Sequence, residues 1–514
     1  MRYAFVIDQN RCIGCHACTV ACKEENNVPL GVFRTWVKYI EKGEFPGNSR
    51  HFGVMRCNHC DDAPCIEICP TTALFRRPDG IVDFDNSRCI GCQSCMQACP
   101  YDALHLDPDT HTAAKCNFCA HRVEMKLEPA CVIVCPTQAI ITGDMDDPTS
   151  RVSGIIATQK VAARKPHKGT NPKLFYTGIA GEFLQPTMME AESTHLWSER
   201  SPAANPYAIE RRNAPRTQPG VARVVYDIAH PQPWGMIPAC YLWTKSIAGG
   251  ILIVAAILFG IDAEGALANP FLLNVLAPIL ALAFTGITTL LLIADLHRPD
   301  RFYYILIKPN PRSWLVWGTY ILIAYSILSI VWVLYGFLSG YIPPPVIWIA
   351  ALAGIGSACY SAFLFAQAKG RDLWQSPLFL WHLLVQAVLA GAALLLIVTA
   401  AAGGIAATLL VATLGKILAT AIAISAVMIL GEVALTPFSE DVKRAADLLT
   451  HGSLRTAFWG GAIGVGAVIP LILLGFSIAG GVHALAVAAA VLALSGLLIF
   501  EMLWIKAGQS VPLS

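Results

Sequence analysis

The chain has 514 residues, of which 55% are hydrophobic and 14% charged, and its formal net charge is +2. A soluble globular protein usually has about 25% charged residues, so the composition excludes a chain that is soluble in character throughout. The near-neutral balance gives no reason to expect a nucleic-acid partner. These averages conceal a polar first part and an apolar second part, which predicts two kinds of domain in one polypeptide.

Sixteen of the 18 cysteines lie within the first 135 residues, in four groups of four. The first and third groups have the spacing C-x2-C-x2-C-x3-C, which is the bacterial ferredoxin spacing, and the other two are stretched forms of it. The groups are Cys12, Cys15, Cys18 and Cys22; Cys57, Cys60, Cys65 and Cys69; Cys89, Cys92, Cys95 and Cys99; and Cys116, Cys119, Cys131 and Cys135.

This spacing lets three thiolates of one turn bind one face of a cuboidal cluster, while the fourth cysteine reaches the other cluster of a pair. Four such groups predict four 4Fe-4S clusters, because soft thiolates select iron-sulfur clusters or zinc over hard cations. Structural zinc, the first alternative, usually uses two C-x2-C pairs separated by a longer loop. A disulfide framework is the second, but cysteines two residues apart do not easily bridge, and we expect no signal peptide.

We expect three regions along the chain: a cluster domain at 1–150, a linker at 151–235 and a membrane domain at 236–508. The linker is rich in proline, lysine and arginine, which favours an irregular arm. Such an arm is either a solvated tether or a segment that wraps a partner subunit or touches anionic lipid headgroups.

Eight apolar runs in the last region are long enough to cross a bilayer, which needs about 20 residues of helix. Polar breaks between them are short, and small residues recur, as at Gly466. The runs are 238–261, 271–294, 314–337, 343–366, 377–400, 405–434, 457–479 and 482–506.

The breaks after the second, fourth and sixth runs contain lysine or arginine, whereas the others contain none. Because cytoplasmic loops collect positive charge, we expect an inner-membrane protein whose cluster domain and both termini face the cytoplasm. The alternative is that a partner with its own export signal carries the cluster domain outward.

Ionisable residues in or beside the spans are costly in lipid and are therefore candidates for function. Most of them lie at the predicted cytoplasmic ends of the spans, as a quinone site with proton-relaying groups would require. For Lys245, Arg298 and Glu501 the alternative is a side chain that reaches the headgroups. For Asp295, His382 and Glu432 it is hydrogen bonding between helices, and Lys416 either belongs to a proton path or pairs with a neighbouring span. The candidates are Lys245, Asp295, His297, Arg298, His382, Lys416 and Glu432, with Glu501 beside them.

Residues 1–150 resemble the four-cluster electron-transfer subunits of molybdopterin oxidoreductases, such as those of dimethyl sulfoxide and polysulfide reductase, on all sixteen cysteine positions. The resemblance implies an α+β ferredoxin-like iron-sulfur domain of two pseudo-repeats with four clusters. It also implies shared ligands, in the sets Cys12, Cys15, Cys18 and Cys135; Cys22, Cys116, Cys119 and Cys131; Cys57, Cys60, Cys65 and Cys99; and Cys69, Cys89, Cys92 and Cys95.

Residues from about 233 onward resemble the eight-span quinone-binding anchor of polysulfide reductase, an all-α membrane domain. The residues that carry this resemblance are Pro233 to Gly235, Asp295 to Phe302 and Lys308 to Ser313. Where His297 stands, that family usually has glycine. Those anchors bind quinone without haem, and no haem is expected here. The fusion of anchor and cluster subunit in one chain is a departure from both families.

Together these features predict an electron-transfer and membrane-anchor subunit that relays electrons between a separate molybdopterin subunit, holding molybdenum or tungsten, and membrane quinone or quinol. One alternative is a redox-driven proton-translocating complex, with a route through Lys416, Glu432 and Glu501. Another is a structural anchor whose quinone pocket is vestigial.

Overall fold

The computed structural model describes residues 1–43, 46–191, 222–261, 271–434 and 438–514, with backbone alone at 190–191 and 405–407. The chain forms two compact units. The N-terminal unit comprises residues 1–66, 72–231 and 512–514, and the membrane unit comprises residues 67–71 and 232–511.

The strands in the described part of the N-terminal unit form two larger sheets and two small hairpins. One sheet has the order β8-β1-β9, the other has the order β10-β11-β2-β3, and the hairpins are β4-β5 and β6-β7. The strands are β1 (Tyr3–Asp8), β2 (Thr35–Lys42), β3 (Ser49–Arg56), β4 (Leu74–Arg76), β5 (Val82–Phe84), β6 (Leu104–Leu106), β7 (Ala113–Lys115), β8 (Ile140–Asp144), β9 (Leu174–Thr177), β10 (Met189–Ala191) and β11 (Ala222–Tyr226).

Strand β1 is the centre of this unit because both of its faces are apolar. Ala4 and Val6 pack on one face, and Phe5 and Ile7 pack on the other, where the core also contains the thiol-bearing side chain of Cys18. Successive side chains of a strand point to opposite faces, so a continuous apolar run suits a strand that is covered on both sides. The first strand thus positions the nearby cysteine turns against a solid core.

Short helices connect these strands. Each small hairpin follows a cysteine group, so that a turn, a short helix and a hairpin recur as in the expected pseudo-repeats. The short α-helices before the first spanning helix, within the described residues, are Ala17–Glu25, Pro64–Ile68, Ser94–Ala98, Ala120–Glu124, Ala130–Ile133, Arg151–Thr158 and Gly181–Leu184.

The stretch expected to be an irregular linker, 151–235, is instead folded into the N-terminal unit wherever it is described. Strand β9 pairs in parallel with β1, and β11 pairs antiparallel with β2. Tyr176 is fully buried and its hydroxyl donates a hydrogen bond to the Val54 carbonyl at 2.9 Å. Burial of short apolar strands outweighs the polar composition between them. The expected arm at 192–221 lies outside the described residues.

Among its described residues, the membrane unit contains eight helices that are long and apolar enough to cross a membrane, as the sequence predicted. An additional helix, Glu440–Thr450, begins after Ser439, whose side chain caps it by accepting a hydrogen bond from the Val442 amide at 3.2 Å. The spanning helices are Ile237–Gly260, Leu272–Ala294, Trp314–Ser339, Pro344–Ala366, Phe379–Ala402, Thr408–Ala434, Ala457–Gly480 and His483–Ser510.

The first spanning helix is the core of the bundle, with buried residues around its whole circumference. The other helices expose large apolar side chains, including Leu290, Phe337 and Val427. A helix that is apolar all round is suited either to a protein interior or to lipid. Both environments occur in this bundle. The first helix lies in its interior, and the other helices have apolar faces on its outer surface.

Two helix crossings depend on glycine pairs. A Cβ atom added to Gly391 in the fifth spanning helix would lie 2.1 Å from the carbonyl carbon of Gly250 in the first. A Cβ atom added to Gly496 in the eighth would lie 2.0 Å from the Cα atom of Gly466 in the seventh. Glycine therefore permits backbone contact between helices where the hydrophobic effect does not hold them together.

We expect Gly391→Ala to destabilise the membrane unit by about 1–3 kcal/mol, because overpacking must push the first and fifth helices apart. Thermal unfolding of the purified protein in detergent measures this effect. Gly460→Ala is the matched control, since a Cβ atom at Gly460 meets nothing within 4 Å. Equal unfolding temperatures for Gly391→Ala and the wild type would contradict the crossing.

Candidate functional site

The four cysteine groups share one backbone feature. In each group, the second residue between the first two cysteines has a positive φ: 71° at Gly14, 44° at His59, 71° at Gly91 and 63° at Phe118. This left-handed conformation is unfavourable for residues other than glycine, and His59 and Phe118 adopt it within a buried core. The same tight turn is thus built four times on different sequences.

Three of the four ligand sets implied by the resemblance lie together in the N-terminal unit. Burial raises the pKa of the Cys12 thiol, for example, and the charges of Cys135 and Cys15 raise it further. Such influences join thiols within the sets Cys12, Cys15, Cys18 and Cys135; Cys22, Cys116, Cys119 and Cys131; and Cys57, Cys60, Cys65 and Cys99, and they also join Cys18 to Cys131 and Cys57 to Cys116 across sets. Cysteines distant in sequence therefore converge.

Most of these thiols are shielded from solvent. Eleven of the sixteen are buried, four are half-buried and Cys15 is exposed. Backbone amides point at the sulfur atoms: Ala139 N lies 3.2 Å from Cys135 Sγ, and Gly91 N lies 3.4 Å from Cys89 Sγ. Hydrogen bonds to cluster sulfur and exclusion of solvent are two of the properties that set cluster potentials. The donor set and its surroundings fit thiolate-bound iron-sulfur clusters.

Two buried cations strengthen this fit. Arg56 and Lys115 are both 0% exposed, and neither forms an ion pair with a carboxylate among the described residues. Burial opposes the charged form of Arg56, but the thiolates of Cys131, Cys116 and Cys18 raise its pKa above the ordinary value. A buried charge requires a compensating charge nearby. Anionic clusters on these cysteines would supply it.

Cys69, the remaining cysteine of the second group, belongs to a segment of the membrane unit. The Asn310 amide group donates a hydrogen bond to the Cys69 carbonyl at 2.7 Å, and its backbone amide donates to the Pro70 carbonyl at 2.9 Å. Ser313 Oγ donates to the Ile68 carbonyl at 2.7 Å. Asn310 and Ser313 belong to one of the motifs that carry the anchor resemblance, and this contact gives that motif a structural role.

Lys245 does not reach for headgroups and is instead completely buried within the bundle. Its ammonium donates hydrogen bonds to the Ala358 carbonyl at 3.0 Å and to Ser361 Oγ, and it lies 4.6 Å from the centre of the Tyr360 ring. Glu501, which is 1% exposed, is close enough to interact with Lys245 electrostatically. Both residues therefore share one buried environment, although no ion pair within 4.0 Å joins them among the described residues.

His382 and Glu432 form a second polar cluster. His382 Nε2 lies 3.0 Å from Glu432 Oε2, and their side chains are 2% and 11% exposed. The imidazole ring is flanked by Phe500 and Trp504, with ring centres 6.3 and 6.4 Å away. A histidine-carboxylate pair in an apolar interior can hold and release a proton.

The remaining candidates lie in different surroundings. Asp295 follows the second spanning helix and is half-buried, and burial raises its pKa to about 6. His297 is exposed, and Arg298 pairs with Asp300 at 2.9 Å in the same loop. The side chain of Lys416 is exposed on the sixth spanning helix, away from the buried clusters. The structure thus brings together Lys245 with Glu501 and His382 with Glu432, but not Lys416.

Sequence reasoning missed several uncharged members of these clusters. Tyr241 lies four residues before Lys245 on the same helical face and is within electrostatic reach of both Asp295 and Glu501. Gln386 lies four residues after His382, is 1% exposed, and its amide atoms have no hydrogen-bond partner in the described part of the chain. The i, i+4 relation to an ionisable residue was the available signal.

Family models match three parts of the chain. Residues 3–24 match a 4Fe-4S binding domain, residues 50–145 match a 4Fe-4S dicluster domain, and residues 225–512 match the family described as polysulphide reductase, NrfD. The last match alone covers more than half of the chain.

Curated relatives match the iron-sulfur part. A tetrathionate reductase subunit of Salmonella typhimurium is 46% identical over 203 residues, which is 38% of this chain and 80% of the relative. A polysulfide reductase polypeptide of Wolinella succinogenes is 42% identical over 179 residues, which is 34% of this chain and 93% of the relative. The arsenate respiratory reductase iron-sulfur subunit of Shewanella sp. is 35% identical over 226 residues, 34% of this chain and 96% of the relative.

These matches agree with the sixteen-cysteine pattern and the eight-helix bundle, and they support an electron-transfer and anchor role for the whole chain. The chain belongs to the polysulphide reductase NrfD family of membrane proteins and carries, on the same polypeptide, an iron-sulfur subunit of the kind found in tetrathionate and polysulfide reductases.

Proposed function

We propose that this subunit carries electrons between membrane quinone and a separate molybdopterin subunit that performs the substrate chemistry. The observation that carries the proposal is the joining of two features in one chain. One is a set of converging, buried cluster ligands, and the other is a spanning bundle whose buried ionisable side chains gather at one end. Either feature alone fits many proteins, but the combination fits a conductor of electrons to or from a lipid-soluble carrier.

The sixteen cysteines would hold four 4Fe-4S clusters, which supply one-electron transfer when bound. Within the membrane unit, the segment that carries Cys69 is held by Asn310 and Ser313.

A quinone gains or loses protons together with electrons, so its site needs proton-bearing groups beside each carbonyl oxygen. Two clusters of this kind lie inside the bundle, Lys245 with Glu501 and His382 with Glu432. Each is shielded from solvent by aromatic rings, which exclude competing water. We propose that quinone binds at this end of the bundle and that Asp295 serves it from the adjoining loop.

The relatives are named as subunits of reductases of tetrathionate, polysulfide and arsenate, which supports a catalytic partner for this chain as well. The residues that select the substrate of that partner would lie in the partner and not in this chain. From the positive loops after the second, fourth and sixth spans, we propose that the N-terminal unit faces the cytoplasm of an inner membrane.

The alternative proton route through Lys416, Glu432 and Glu501 receives no support from the geometry. Glu432 lies 3.0 Å from His382 and Glu501 is within electrostatic range of Lys245, whereas Lys416 is exposed on the outside of its helix.

We expect Cys131→Ala to remove or convert one cluster, which lowers the iron content by about one to four atoms per chain, because each cubane needs its full thiolate set. Iron analysis and electron paramagnetic resonance of the purified protein measure the loss. Cys359→Ala is the control, since this buried cysteine lies in the fourth spanning helix and belongs to no ligand set. Full iron in Cys131→Ala would remove that residue from the ligands.

We expect His382→Gln and Glu432→Gln each to slow quinone-dependent turnover by about 100-fold, the usual contribution of a positioned proton donor or acceptor. Visible absorbance of the clusters should stay unchanged in both. His483→Gln, at the beginning of the eighth spanning helix, should turn over as the wild type does. Normal turnover in both pair variants would place the quinone elsewhere.

The pKa of about 6 for Asp295 predicts a pH dependence. The carboxyl is protonated below this pH and charged above it, so as a proton acceptor in quinol oxidation it becomes active as the pH rises through about 6. Turnover should therefore increase across that range in the wild type and be flat in Asp295→Asn. Asp300 is an exposed residue of the same loop, and Asp300→Asn should keep the wild-type inflection of turnover near pH 6. If Asp300→Asn lost the inflection, the ionisation would belong to the loop as a whole and not to Asp295.

A further inference from the structure

Arg56 and Lys115 have no role in the electron path proposed above, yet both are completely buried beside cluster ligands. Two other buried cations of the N-terminal unit have carboxylate partners: Lys38 has Asp227 at 2.9 Å and Lys173 has Asp61 at 2.8 Å. Arg56 and Lys115 have none among the described residues, and an uncompensated buried cation is strongly destabilising. Their position therefore demands an explanation in terms of the charge around them.

Arg56 lies between two ligand sets. Its Nη1 atom donates a hydrogen bond to Cys131 Sγ at 3.1 Å, and the charge of Cys116 from the same set also acts on it. From the other side the charge of Cys18 acts on it, and Cys18 belongs to the set of Cys12 and Cys135. The guanidinium stacks over the Phe5 ring at 4.6 Å, which fixes its position in the core.

Lys115 also lies between two ligand sets, in this case the second and the third. Its ammonium acts on Cys57 and Cys65, which belong to the third set. It also donates hydrogen bonds to the carbonyls of Val82 and Cys116, and Cys116 carries a thiol of the second set. Arg56 thus stands between the first and second sets, and Lys115 stands between the second and third.

We propose that Arg56 and Lys115 set the reduction potentials of the clusters on either side of them. Reduction adds one electron to a cluster and neither forms nor breaks a bond, so the reduced form carries one more negative charge. A fixed cation beside the ligands stabilises that form, and the stabilisation is large where water is excluded. The bond from Arg56 to Cys131 adds a donor at sulfur, which favours the reduced form further.

Two cations placed between three sets act on more than one cluster each. They raise the reduction potentials of neighbouring clusters together. The difference in potential between successive clusters therefore stays small, and electrons can pass from one cluster to the next. This inference rests on the ligand sets of the proposed function, and it deepens that function by naming the residues that control the energy of the path.

The test is a redox titration of the intact purified complex, followed by electron paramagnetic resonance of each cluster. Arg56→Gln should lower the midpoint potential of one cluster by at least about 59 mV, which is a tenfold change in the equilibrium constant of a one-electron reduction. That cluster is the one held by Cys22, Cys116, Cys119 and Cys131. Lys115→Gln should do the same to the cluster held by Cys57, Cys60, Cys65 and Cys99.

Arg56→Lys keeps the charge but lacks the planar group that reaches Cys131, so its midpoint should fall by a smaller amount in the same direction. If the glutamine variants do not retain iron, this variant carries the test. Lys38→Gln is the matched control, because Lys38 is buried in the same unit and faces Asp227 but no cysteine. Its midpoints should equal those of the wild type.

Unchanged midpoints in iron-replete Arg56 and Lys115 variants would overturn the inference, as would an equal shift in Lys38→Gln. Iron content separates this failure from failure of the proposed function. A wild-type chain with far fewer than about sixteen iron atoms would contradict the four-cluster assignment itself, whereas full iron with unmoved potentials contradicts only the role of the two cations.

Discussion

Balance of charge in an interior without water is the constraint on which the rest of this protein depends. In the N-terminal unit the cysteines converge and most of them are buried, and anionic clusters are tolerated there only if backbone amides and cations face them. The repeated left-handed turns, the amides aimed at Cys89 and Cys135, and the buried side chain of Arg56 all meet that requirement. Strand β1 and its apolar partners keep the surroundings dry.

The membrane unit meets the same constraint with different residues. A lone ammonium inside a bilayer is expensive, yet Lys245 is buried, because a carbonyl, a hydroxyl and an aromatic face surround it and Glu501 lies nearby. His382 and Glu432 lie 3.0 Å apart across two helices, so that each has an ionisable partner. Glycine pairs let the helices of the bundle approach closely enough for such contacts. Polar function in the bundle therefore relies on tight apolar packing around it.

Local patterns predicted much of this structure. Cysteine spacing identified the four turns, and the length of each apolar run located all eight spanning helices to within a few residues. Long-range relations were harder to predict. Strands β9 and β11 are four and five residues long and stand among prolines and charges, so their apolar character was too brief to be separated from a linker. Their partners in β1 and β2 lie far away in sequence, and pairing over such distances leaves no local mark.

The candidate site shows the same division. Charged residues in apolar runs could be found because their cost in lipid is general, but which of them pair could not. From the sequence, Lys416 and Lys245 were equal candidates for function. The orientation of each helix about its own axis decides that Lys416 is exposed and Lys245 is buried, and the sequence does not reveal that orientation. Tyr241 and Gln386 were overlooked because uncharged polar residues are unremarkable in a span. The bond of Asn310 to the Cys69 segment joins residues 241 positions apart and had no precursor in the sequence.

The order of the strands has a consequence for biosynthesis. Strand β1 is made first, but its neighbours β8 and β9 follow only at residues 140 and 174, and β2 obtains its partner β11 at residue 222. A nascent chain emerging from the ribosome therefore cannot close this unit until the first spanning helix is about to follow. Closure of the two sheets and entry of the first spanning helix into the bilayer therefore fall at nearly the same point of translation.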